Sequence, residues 1–120
     1  MRGKIGDKER LGHILDAISE IENYTANVAL KDFLANSMMR FASIKQIEII
    51  GEAANYITVE TKVLFSDIEW KQIVGMRHIL IHEYFGVDPN LVWQVIRDDI
   101  PALKAAIIKI LTPSPSPKSP

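Results

Sequence analysis

The chain has 120 residues, 48% of them hydrophobic and 24% charged, with a formal net charge of -1 and no cysteine. That is enough for one domain with a real core. It excludes disulfides, thiolate chemistry and cysteine-type zinc sites, and it excludes the global positive field with which a strongly basic domain gathers nucleic acid.

The apolar stretches are interrupted by Glu48, Glu52, Arg77 and His82, and no apolar region follows Arg2, Gly3 and Lys4. Neither a membrane span nor a secretory signal is therefore expected, and a cytoplasmic location is. From Lys8, the spacing of Leu11, Ile14, Leu15, Ile18 and Ile21 predicts a first helix to about Tyr24. Thr25 is placed to cap a short second helix through Leu34. Asn36 or Ser37 is placed to cap a long third helix whose stripe is Phe41, Ile44, Ile47 and Gly51. Gly51 in that stripe implies close helix packing. Ser66 to Glu69 reads as an S-x-x-E capping box, starting a fourth helix with Trp70, Ile73, Met76 and Leu80 on its core side and an end near Tyr84. Gly86 terminates it, Asp88 caps the next helix with Pro89 in its first turn, and Pro101 bends or interrupts that helix before a last segment to about Leu111. The sum is an all-α, up-and-down bundle of four to five helices over residues 1–111. Residues 112–120, in which proline alternates with serine, are expected to be a disordered tail.

The fourth helix holds the residues with chemistry. His78 and His82 are four apart and so about 40° apart around a helix. Lys71, Gly75, His78 and His82 form one stripe, weakly cationic, opposite the core stripe. A helical glycine costs roughly 1 kcal/mol against alanine, so Gly75 implies that another backbone or a ligand comes close there. Arg77 lies about 140° around the helix from His82 and roughly 7.5 Å along it, so one chain converges the two poorly. Two copies of the helix packed across a two-fold axis bring them to one cleft, and such contacts are the commonest oligomer geometry. A homodimer through this helix is the expectation.

RNA carries its own nucleophile, the 2'-OH, so its cleavage needs a base, an acid and a cation for the phosphate. Histidine fills either proton-transfer role, and arginine offers a planar fork to phosphate oxygens. No metal or cofactor is required. Each residue also has a plainer reading. His78 and His82 can be surface histidines, or two ligands of a zinc site completed by Glu48 or Glu52. The sequence argues against zinc because Glu83 follows the second histidine where H-E-x-x-H would place it after the first. Tyr84 projects near the core stripe and can pack there. Glu48, Glu52 and Asn55 can hold Arg77 or a histidine, or form a solvated face. His13 reads as structural or solvated, and Trp70 and Trp93 as core anchors.

The run from Gly75 to Tyr84, G-M-R-H-I-L-I-H-E-Y, resembles the R-x4-H-x-Y signature of the HEPN superfamily and of its HepT toxin family. The likeness extends to Asp7 to Thr25, to Arg40 to Ala54, and to Val92 through Pro101 and Leu103. It implies a helical bundle whose dimer forms a metal-independent ribonuclease site, with Arg77 and His82 catalytic and His78, Lys71 and Glu52 in support. It also implies a toxin of the type VII kind, paired with a minimal nucleotidyltransferase antitoxin that transfers AMP to the motif tyrosine, here Tyr84. A bulky anion there would block RNA sterically and by like charge. Assembly of the dimer with the antitoxin into something larger is left open. The alternative is a non-catalytic, nucleotide-binding or adaptor bundle partnering a nucleotidyltransferase, which the near-zero net charge favours. A purely structural helical dimer is the third reading.

Overall fold

The computed structural model describes residues 6–82 and 88–112, the side chains of 77–82 excepted. The described residues are helical with no strand: α1 (Asp7–Thr25), α2 (Leu30–Ala35), α3 (Ser37–Asn55), α4 (Val59–Leu64), α5 (Trp70–His82), α6 (Pro89–Gln94), a π turn (Val95–Asp99) and α7 (Ile100–Leu111). None of these helices is long and apolar enough to cross a membrane.

Helical spacing builds the core. Leu11, Ile14, Ile18 and Ile21 bury one face of α1, and Ile47, Ile50 and Ala54 bury one face of α3. Trp70 and Ile73 of α5 and Ile100, Leu103 and Ile107 of α7 complete the same cluster. Helix α3 lies at the centre, packed on α1 and α5, and α7 closes against α1. The α1–α3 pair is antiparallel: Asp7, at the start of α1, reaches Thr58 just past the end of α3, and Tyr24, near the end of α1, meets Gln46. Phe33 of α2 is fully buried, with its ring 5.0 Å from that of Trp93. Glu22 and Lys104 join α1 to α7 through an exposed ion pair at 2.9 Å, a contact of the class worth about 1 kcal/mol or less.

Local physics sets several of the element ends. The Asn36 side chain accepts from Met39 N and caps α3, while Asp88 accepts from Asn90 N and caps α6, with Pro89 in its first turn. Pro101 has no N–H and crowds the carbonyl four residues back. The chain answers with a wider turn, in which the Ile100 amide bonds Val95 O five residues earlier, and α7 continues past the proline.

Three expectations need correction, and one element was missed. Thr25 does not cap α2: it is the buried last residue of α1, its hydroxyl donates to Ile21 O at 2.8 Å, and α2 starts only after Asn27 turns through φ 59°. The capping box at Ser66 does not start α5. Ile68 N and the Trp70 indole N–H both donate to Phe65 O, at 3.1 Å each, so residues 65–68 are held as a turn, and α5 begins at Trp70. Phe41 is 67% exposed and leaves the α3 stripe, whose place in the core is taken by Ser43. Helix α4 was not foreseen, and it buries none of its residues. The helix end expected at Gly86 and the tail from Pro113 lie outside the described residues.

Candidate functional site on helix α5

Helix α5 is anchored at its start by Trp70, 7% exposed, and by the bond from Ile73 N to Glu69 O at 3.0 Å. From there the backbone is helical without a break through Arg77, His78 and His82. Trp70 and Ile73 are buried and Met76 is half-buried, so the core side of the helix runs along this line. Lys71, about 100° round from Trp70, is exposed, and Gly75 is half-buried.

The helical register places the remaining positions. Arg77 falls between the directions of Trp70 and Ile73, on the side packed against the bundle, whereas His78 and His82 continue the face of Lys71 and Gly75. Within one subunit the Arg77 position therefore diverges from the His82 position by about 140°. The side chains of Arg77, His78 and His82, and all of Tyr84, lie outside the described residues.

Gly75 has open space beside it. A Cβ built there would meet nothing within 4 Å among the described residues, so none of them requires the glycine, and the close backbone or ligand that the sequence implies would have to come from elsewhere.

Glu52 is exposed on α3. It lines, with Glu48 and Lys45, a groove of about 430 Å³ whose other wall is Arg10 and His13 of α1. Arg10 also sits over the Tyr56 ring, 4.7 Å from its centroid, and Lys45 lies 3.9 Å from Glu48. His13, read from sequence as structural or solvated, is exposed in this mixed-charge groove. The signal was present in the i, i+3 spacing of Arg10 and His13, but only the packing of α1 on α3 gives those residues acidic neighbours.

Comparison with known proteins bears on this helix. The family model described as "Ribonuclease HepT-like" matches residues 14–110 of the chain. The chain belongs to the HepT-like ribonuclease family of the HEPN superfamily. A candidate ribonuclease HepT of Thermococcus cleftensis is 40% identical over 107 residues, 89% of this chain and 97% of that protein. A candidate RNase of Methanocaldococcus jannaschii is 38% identical over 83% of this chain and 92% of its own length. A second protein of that organism, described as a gamma-glutamylcyclotransferase and candidate RNase, is 45% identical over 84% of this chain, which spans only 46% of it. No solved structure matches the chain.

Proposed function

We propose that this HepT-like chain is a metal-independent endoribonuclease, the toxin of a toxin–antitoxin pair, acting in the cytoplasm at a site shared by two subunits. The observation that carries the reading is the unbroken α5, which sets Arg77 and His82 on different faces of one helix. Two copies of α5 meeting across a two-fold axis would bring the arginine of one chain toward the histidine of the other. Membership of a ribonuclease family supports the substrate class.

In the proposed reaction Arg77 grips the scissile phosphate with its planar fork and offsets charge gained in the pentavalent transition state. His82 handles one of the two proton transfers, and His78 or water handles the other. The 2'-OH loses its proton and its oxygen bonds to phosphorus. The bond from phosphorus to the 5'-oxygen breaks, that oxygen is protonated, and a 2',3'-cyclic phosphate remains. Lys71 adds positive charge along the same face, and Glu52 supports the arginine. Control would come from a minimal nucleotidyltransferase that transfers AMP from ATP to the Tyr84 oxygen, with loss of the phenolic proton and release of pyrophosphate, and the added phosphate would repel RNA.

Purified protein incubated with RNA in excess EDTA is expected to yield fragments ending in a 2',3'-cyclic phosphate, and His82→Ala to slow cleavage by about 100-fold or more, the scale of a lost proton-transfer group. Cleavage abolished by EDTA, or left intact in His82→Ala, would overturn the assignment. Mass spectrometry of the chain co-expressed with its nucleotidyltransferase tests the switch, and absence of AMP on Tyr84 counts against it.

A further inference from the structure

On the side of α5 away from the histidine face, Gln72 and Met76 look onto two adjoining depressions. One, of about 230 Å³, is floored by Ile73, Met76 and Leu103 between α5 and α7. The other, of about 180 Å³, runs on to Leu91, Val92 and Val95 of α6 and the π turn. Gln72, Met76 and Asp99 line both, so the two form one apolar trough. Leu91, on its edge, is 42% exposed.

Among the described residues the rim has a single sign. Asp67, Glu69 and Asp99 stand exposed around the trough, and among the described residues no lysine, arginine or histidine lines either part. No cation among the described residues pairs with any of the three. The π turn that accommodates Pro101 carries Asp99, which borders both depressions. Along α7 the trough runs from Asp99 to Ala106, about 10 Å, the length of two helical turns.

From this we infer that the trough is a docking site for an amphipathic helix of a partner protein, with apolar side chains on one face and lysine or arginine flanking them. Apolar knobs at i, i+3/i+4 and i+7 match a two-turn trough, and basic flanks match three uncompensated carboxylates. RNA is the wrong occupant, because its phosphates would face that acidic rim. A second copy docked about an axis through the trough would set the same carboxylates against each other.

The test uses the full chain and a fluorescein-labelled amphipathic helical peptide with a leucine stripe and lysine flanks, followed by fluorescence anisotropy. Saturable binding is expected, with no binding of the same peptide carrying glutamate in place of lysine. The double variant Glu69→Lys with Asp99→Lys, both at exposed positions, should weaken binding by about tenfold or more while cleaving RNA and sedimenting as the wild type does. Ala102→Trp, which fills the α7 wall, should weaken it without any change of charge. Four results would each overturn the inference: no binding by the wild type, equal binding of the glutamate peptide, displacement of the lysine peptide by an RNA oligonucleotide, or dissociation of a dimer in the charge-reversed variant.

Discussion

Gly75 separates two physical roles that a glycine inside a helix can play. Among the described residues nothing stands within 4 Å of an added Cβ, so replacing it with alanine removes backbone freedom from the unfolded chain and adds no clash with them in the folded one. The subunit of Gly75→Ala should gain about 0.5–1 kcal/mol of unfolding free energy, read by urea denaturation. Should a second α5 pack closely over this face, the same methyl group would stand in its way. The dimer's dissociation constant, measured by analytical ultracentrifugation, is then expected to rise by about tenfold or more. A variant that is more stable and dimerises as tightly as the wild type would show that no partner helix lies over Gly75. Ser43 poses a different residue-scale question: it is fully buried on α3, and its hydroxyl has no partner among the described residues. Its neighbours on the helix face, Ile47 and Ile50, give no reason for a hydroxyl there.

At the scale of elements, the short α4 is held by polar contacts in place of a core. Its residues Val59, Val63 and Leu64 are each more than two-thirds exposed, which is why no periodic stripe announced it: spacing reports a helix only where one face is buried. Asp7 of α1 fixes its start, accepting from Thr58 N at 3.1 Å, from the Thr58 hydroxyl at 2.6 Å and from the Thr61 hydroxyl. Partial burial alone would raise the Asp7 carboxyl, but the hydrogen bonds from Thr58 and Thr61 and the charge of Arg10 outweigh it and hold the group below its ordinary 3.8. A carboxyl lowered by folding stabilises the fold above its unfolded value, and this contribution is lost as pH falls through the lower folded one. The urea midpoint of the wild type should therefore drop between about pH 5 and about pH 2. Asp7→Asn should start lower at neutral pH and fall less steeply on acidification. Parallel curves for the two proteins would remove Asp7 from the acid response. The elements legible in sequence were those with a buried face or a side-chain cap: the Leu11, Ile14, Ile18, Ile21 stripe, the Asn36 cap and the Asp88–Pro89 start. The Ser66 box misled because the burial of Trp70 and the turn around Phe65 O decide where α5 begins, and local pattern yields to such tertiary contacts. The acidic rim stayed hidden because Asp67, Glu69 and Asp99 belong to segments that meet only in the fold.

For the whole molecule, the decisive question is whether one subunit carries a complete site. The helix register sets the Arg77 and His82 positions about 140° apart on α5, so under the proposed mechanism the working pair is arginine from one chain and histidine from the other. Arg77→Ala and His82→Ala homodimers should each be nearly inactive, since the first lacks every guanidinium and the second every imidazole at these positions. Mixed and allowed to exchange, they form heterodimers in which the chain carrying His82→Ala still contributes Arg77 and the chain carrying Arg77→Ala still contributes His82. One cross-subunit pair is then intact, and cleavage should return to a sizeable fraction of the wild-type rate, in proportion to the heterodimer measured by native mass spectrometry. A mixture of wild type with the doubly substituted chain is the control: its heterodimers hold both groups on one chain and none on the other, so activity should fall as they form. Heterodimers that form in the first mixture without any return of cleavage would mean that each subunit converges its own arginine and histidine. The divergence of positions around α5 would then have to be overcome by the reach of the side chains within a single bundle.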